Sequence, residues 1–146
     1  MRPTIKIQET IKPSDALIII AGTKNSWKDF SFSSQELKYV EDSIKNKDKQ
    51  IVINQYKRWV FICIPDKGKD KYQQIENVRK AAYKLYAAIK SKKIKSVIIS
   101  DIRKNIQNTL SFAEGLALSN YQFLKYFKNS EEKESKLKEI LVHLPK

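Results

Sequence analysis

The stretch S-F-A-E-G-L-A-L-S-N-Y-Q-F-L-K-Y, from Ser111 to Tyr126, has the residue spacing of an amphipathic helix. Four apolar residues are predicted to share one broad side of this helix: Phe112, Leu116, Tyr121 and Leu124. Gly115 interrupts that side, and because glycine has no Cβ, a neighbouring element could approach closely there. The stretch therefore predicts a helix that packs tightly against another part of the fold.

Outward from this helix, apolar runs alternate with amphipathic segments. The runs predicted to be strands are Ile5–Ile7, Ala16–Ala21, Ile51–Asn54, Trp59–Ile64, Ser96–Ser100 and Leu137–Val142. The helices are predicted to follow a capping box at Ser33–Glu36 and to span Lys71–Ser91 and Thr109–Lys125. A loop at Thr23–Phe32, anchored by Trp27, and a mixed-charge linker at Asn129–Lys136 complete the pattern. Alternating strands and helices with continuously apolar strands predict an α/β protein with three α/β/α layers and a mixed sheet.

Length and composition favour one globular domain over residues 1–146. The 29 basic residues outnumber the 16 acidic ones, and the formal net charge is +13. Such a charge attracts polyanions, although a solvated lysine-rich surface explains it as well, and we favour that explanation. The candidate polyanion face comprises Arg79, Lys80, Lys84, Lys90, Lys92, Lys93 and Lys95.

The residue types that common catalytic centres need are scarce. Cys63 is the sole cysteine and lies in an apolar run, where a thiol usually packs as a small hydrophobe. His143 is the sole histidine, and we expect it to be a strand or tail residue and not a catalytic base. The three glycines form no phosphate-binding motif. We therefore predict no catalytic, cofactor-binding or metal-binding residue in this chain.

Two positions at predicted strand ends keep a functional alternative open. Asp101 follows the strand at Ser96–Ser100, and Gly22 follows the strand at Ala16–Ala21. Ligand sites of α/β proteins form at the carboxyl ends of strands, so both residues could line a crevice. We favour a cap or turn for Asp101, a strand-ending turn for Gly22 and a packing or helix-surface role for Glu114.

The sequence resembles the N-terminal domain of the leucyl aminopeptidase (cytosol aminopeptidase, M17) family, with the core of that domain at about residues 14–142. The most specific part is F-A-E-G-L at Phe112–Leu116, followed by Tyr121, Phe123 and Tyr126. Asp15–Ile19 is similar to the D-A-L-V-V strand of the family, and Val78–Ala82 is similar to its R-x-A-A helix. Val97–Ile99 takes the place of the strand that follows that helix.

This resemblance implies a macro-domain-like fold and a non-catalytic role. In the family a C-terminal domain binds two metal ions, usually zinc, and carries the signature N-T-D-A-E-G-R, which does not occur here. We therefore expect the catalytic domain to be absent from this chain, and zinc or manganese to belong to that domain of the parent hydrolase. The expected partners are that catalytic domain and the other subunits of a hexamer, with DNA as an alternative. The Gly-rich and Asn-containing loops that hold ADP-ribose in macro domains are not evident, so ADP-ribose binding is not predicted.

The sequence also predicts a location, and the resemblance implies a role. The expected location is the cytoplasm, because no signal peptide is visible and the run Ala16–Ala21 is too short to span a membrane. The expected role is assembly, stability or access to the active site of the parent enzyme. The alternative is a basic module that binds nucleic acid.

Overall fold

The computed structural model describes residues 3–12, 16–28, 30–126 and 137–144, with side chains at the end of the last helix described up to residue 121. Several sequence predictions lie outside these limits: Asp15, the linker at Asn129–Lys136, and the side chains of Phe123, Leu124 and Tyr126.

The observed elements follow the predicted order. The strands are β1 (Thr4–Gln8), β2 (Ala16–Ile20), β3 (Gln50–Asn54), β4 (Trp59–Cys63), β5 (Ser96–Asp101) and β6 (Glu139–His143). The helices are α1 (Ser34–Lys45), α2 (Lys71–Ser91) and α3 (Ile106–Tyr126). Helix α3 begins three residues before the predicted start, because the Asn105 side chain caps it by accepting from the Asn108 amide at 3.1 Å.

The strands form one six-stranded sheet in the order β1-β6-β5-β2-β4-β3. Every neighbouring pair is parallel except β3 and β4, which form an antiparallel hairpin. The predicted mixed sheet is confirmed. Four consecutive residues of β2, Leu17–Ile20, are at most 1% exposed, so the continuous apolar run marked a strand covered on both faces.

The helices cover both faces of the sheet, which confirms the three predicted layers. One apolar cluster joins α2 and α3 to the sheet, for example through Leu85, Phe112 and Ile99. The other lies under α1 and under the loop before it, where Trp27 packs edge-on against Phe32 at 5.8 Å between ring centroids. These contacts confirm Trp27 as a packing anchor.

Helix α1 begins at the predicted capping box. The Ser33 hydroxyl accepts from the Glu36 amide at 3.1 Å, and the Glu36 carboxylate accepts from the Ser33 amide at 2.9 Å. Two amides of the helix start are therefore satisfied by side chains, which is why the helix begins at this pair.

Helices α2 and α3 pack against each other at Gly115. A Cβ placed on Gly115 would lie 2.8 Å from the Cβ of Ala82, so the predicted close approach is confirmed. Phe112 and Leu116 are fully buried as predicted. Tyr121 differs, because its side chain is 45% exposed. Five residues beyond Leu116, it is rotated about 140° around the helix axis and leaves the buried side.

Candidate anion-binding crevice

A crevice of about 780 Å³ opens where the carboxyl ends of β2, β4 and β5 meet. Since these strands are parallel, the loops that follow them lie at the same edge of the sheet. The residues that line this crevice are Ile20, Gly22, Thr23, Lys24, Lys49, Ile64, Pro65, Lys67, Gln74, Arg103, Asn105 and Asn108. Gly22 therefore fits both interpretations of its position, because it lies in the turn after β2 and also lines the crevice.

The loop after β2 is ordered by one side chain. Asn25 accepts from the Gly22 amide at 2.9 Å and donates to the Gly22 carbonyl at 2.6 Å. The guanidinium of Arg103 lies over Gly22, since a Cβ built there would be 3.3 Å from its Nη2. The absence of a Cβ at Gly22 therefore leaves room for the Arg103 guanidinium at the crevice.

Asp101 has the turn role that we favoured from the sequence. One carboxylate oxygen accepts from the Arg103 amide at 2.7 Å, and the other accepts from the Asn108 side chain at 2.8 Å. Asp101 is 4% exposed. The carboxylate therefore ties the loop after β5 to the start of α3, and it positions Arg103 and Asn108 at the crevice.

The loop after β4 brings Lys67 to the crevice. At its next residue, Gly68, a Cβ would lie 2.4 Å from the Gln74 amide nitrogen, so only glycine permits this approach to α2. The Gly68 amide also donates to the Gln74 side chain at 3.0 Å, and Asp70 caps α2 by accepting from the Gln73 amide at 2.8 Å. The start of α2 thus fixes the loop that carries Lys67.

The charge of the crevice is one-sided. Four of its lining residues are basic and none is acidic. Lys49 forms an ion pair with Asp66 at 3.4 Å. For the other three basic residues, Lys24, Lys67 and Arg103, the described part of the chain provides no ion pair. Cationic side chains around a concave surface attract anions.

A second, smaller cavity of about 330 Å³ contains a serine–histidine pair that the sequence did not predict. The Ser100 hydroxyl lies 2.9 Å from Nδ1 of His143, and Nε2 of His143 lies 3.1 Å from the Glu9 carbonyl oxygen. His143 is the last residue of β6, as the predicted strand role requires. No sequence signal joined residues 43 positions apart, because only the order of the strands places β5 beside β6.

The candidate polyanion face is distributed over several environments. Arg79 pairs with Glu114 at 2.7 Å, a hydrogen bond that raises the pKa of Arg79, and Glu114 is exposed on α3 as predicted. Lys92 lies 4.1 Å above the ring of Trp59. Lys80 and Lys84 line a cleft of about 70 Å³ together with Lys49. Lys90, Lys93 and Lys95 lie at the end of α2 and in the turn that follows it.

Cys63 is a core residue, as predicted. It is 1% exposed, and burial raises the pKa of its thiol to about 12. A thiol that stays protonated is a poor nucleophile.

Across the described ranges, no helix is long and apolar enough to cross a membrane, and no group of three or more metal-ligating side chains comes together.

Comparisons with known sequences support the family resemblance. Residues 66–130 match the N-terminal domain of the cytosol aminopeptidase family. A curated relative, a probable cytosol aminopeptidase of Sulfurihydrogenibium sp. (strain YO3AOP1), is 31% identical over 90 residues. The match covers 59% of this chain and 18% of the relative, so the chain corresponds to a small part of that protein.

Solved structures show the same fold. A mutant of tomato leucine aminopeptidase matches with a TM-score of 0.64 and 11% identity, over 97% of this chain and 32% of that one. The macrodomain of Thermus aquaticus DarG matches with a TM-score of 0.54 and 11% identity, over 98% of this chain and 99% of that one. The fold is therefore that of a macro-domain-like α/β protein. Together with the sequence matches, it supports the similarity of this chain to the N-terminal domains of the M17 aminopeptidase family.

Proposed function

We propose that this chain is the non-catalytic N-terminal domain of a leucyl aminopeptidase-like metallo-exopeptidase in the cytoplasm. Its role is the assembly and stability of the parent enzyme, or access to the active site. Its partners are the C-terminal catalytic domain and the other subunits of a hexamer. Zinc or manganese would be bound by the catalytic domain, and no residue of this chain is assigned to it.

One observation carries the assembly role. Strand β1 is one of the two outer strands of the sheet, and its Ile5 and Ile7 are 44% and 66% exposed. They pair with Ile140 and Val142, which belong to the core beneath α2 and α3. Since side chains alternate along a strand, Ile5 and Ile7 lie on the same side of the sheet as α3. We name these two residues the β1 surface.

Helix α3 adds apolar surface on the same side of the sheet. Leu110, Leu118 and Tyr121 are 38%, 43% and 45% exposed. Apolar side chains beside an open sheet edge are typical of a surface that another protein covers. An assembly domain needs such a surface.

The test is association with an M17 catalytic domain from the source organism, measured by analytical ultracentrifugation. We expect the double variant Ile5→Lys, Ile7→Lys to weaken association by tenfold or more, because it places two charges in the contact. The matched control is Tyr72→Lys, which adds a lysine at an 86% exposed position on α2. Equal association of the wild-type chain and the double variant would contradict the assembly role.

A second candidate function, nucleic-acid binding, is favoured by the lysines around the small cleft. Lys49, Lys80 and Lys84 meet there beside a single acidic residue, Asp66. The affinity for a short DNA duplex should fall steeply as the salt concentration rises. The double variant Lys80→Gln, Lys84→Gln should reduce the slope of log affinity against log salt by about two, since it removes two phosphate contacts. Lys38→Gln with Lys45→Gln on α1 is the control of equal charge. Absence of binding at low salt would exclude this function.

A further inference from the structure

The crevice described above has a use that assembly does not explain. It lies at the carboxyl ends of β2, β4 and β5, whereas the β1 surface lies at the outer edge of the sheet. At about 780 Å³, it has the size of small-molecule sites in proteins. Its floor is apolar, with Ile20, Ile64 and Pro65, and its rim is basic and amide-rich.

The basic side chains converge from three separate loops. Lys24 follows β2, Lys67 follows β4, and Arg103 follows β5. Asp101 fixes the backbone of Arg103 by accepting from its amide, and the Arg103 guanidinium lies next to Gly22. A planar guanidinium is suited to bind two oxygens of one phosphate group.

The acidic side chains of the same loops are already engaged. Asp66 pairs with Lys49, Asp70 caps α2, and Asp101 binds the Arg103 amide and Asn108. None of the three lines the crevice. Among the described residues, none of these three acids forms an ion pair with Lys24, Lys67 or Arg103.

The start of α3 adds to the positive potential. Asn105 and Asn108 line the crevice, so this 21-residue helix begins at its wall. The amino-terminal end of a helix carries a partial positive charge. The Asn108 carboxamide is also held in place by Asp101.

From this geometry we propose that the crevice is a binding site for a small phosphorylated molecule. Arg103 and Lys67 bind its phosphate groups, and the apolar floor contacts its organic part. The site is independent of the proposed assembly role, because it shares no residue with the β1 surface.

The test is isothermal titration calorimetry, in which inorganic pyrophosphate is added to the full chain at constant ionic strength. We expect saturable binding, which Arg103→Gln weakens about tenfold and Lys67→Gln weakens several-fold, as for the loss of a charge-assisted hydrogen bond. The matched control is Lys38→Gln, which removes one exposed charge from α1 and should change the affinity less than twofold. No saturable binding, or equal weakening by the control, would overturn the proposal.

Amide chemical-shift mapping on the wild-type chain gives a second measurement that needs no variant. Shifts on pyrophosphate addition that cluster at residues 22–24, 67–68 and 103–108 support the site. Shifts spread over lysine-rich segments throughout the chain would show general charge screening and overturn it. Failure of pyrophosphate binding would leave the association experiment on the β1 surface unaffected, so the two proposals are tested separately.

Discussion

Gly115 of α3 and Ala82 of α2 approach each other so closely that a Cβ on Gly115 would lie 2.8 Å from the Cβ of Ala82. The same Cβ would lie 3.1 Å from the Arg79 carbonyl oxygen, so side chain and backbone both limit the space. Around this contact, Tyr86 donates to Asn120 at 2.9 Å, and Arg79 pairs with Glu114. The two helical segments that carry the family resemblance, Val78–Ala82 and Phe112–Leu116, therefore meet in one helix–helix contact.

Gly115→Ala should destabilise the protein despite the better helix propensity of alanine. Alanine gains about 1 kcal/mol in a helix interior, whereas overpacking costs about 1–3 kcal/mol. We expect a net loss of about 1 kcal/mol in the free energy of unfolding, measured by urea denaturation. The matched test is a double-mutant cycle with Ala82→Gly. In the Ala82→Gly background, Gly115→Ala should lower the free energy of unfolding by less than it does in the wild-type chain. An additive pair would show that this contact does not limit the packing.

Asp101→Ala should destabilise the protein by about 2–3 kcal/mol, because it leaves the buried donor of Asn108 without its acceptor. The loop at Arg103 loses its anchor in the same variant. The control is Asp66→Ala, which removes an exposed ion pair and should change stability by less than about 1 kcal/mol. Equal effects of the two variants in urea denaturation would contradict the assigned role of Asp101.

The Cys63 thiol should not react with a thiol reagent in the native protein at neutral pH. Burial raises its pKa from 9.0 to about 12, so the thiol stays protonated and covered. The raised pKa favours the folded state below about pH 9, and this contribution is lost as the pH rises toward 12. The reaction is followed by the absorbance of the coloured thiolate that the reagent releases when it labels a cysteine. The positive control is the chain unfolded in concentrated guanidinium chloride, in which Cys63 should react. Rapid labelling of the native chain would contradict the buried position.

The purified chain should show no turnover of a leucyl chromogenic substrate with added zinc or manganese. This expectation rests on the proposed function, in which the metal ions are bound by the catalytic domain of the parent enzyme. A full-length M17 enzyme is the positive control. Turnover that a chelator abolishes would contradict the non-catalytic proposal, and Asp101 would then need to be reconsidered.

Much of the fold could be predicted from the sequence, because local patterns fix local structure. The apolar run at β2, the capping box at Ser33 and the periodicity of α2 each identified their element. The close approach at Gly115 could also be predicted, because the lack of a Cβ is a property of glycine itself and does not depend on distant residues. The prediction that Tyr121 shares the buried side of α3 was wrong. Its position is rotated too far around the helix axis from Leu116 for the two side chains to share that side.

The sequence by itself determined the α/β class, the family resemblance and the turn role of Asp101, since each depends on neighbours along the chain. Only the tertiary structure brought Lys24, Lys67 and Arg103 to one crevice and Ser100 to His143. It alone showed that Ile5 and Ile7 lie exposed on the α3 side of the sheet. The physical reason is that strand order and direction decide which distant loops and side chains meet, and no local pattern encodes that order.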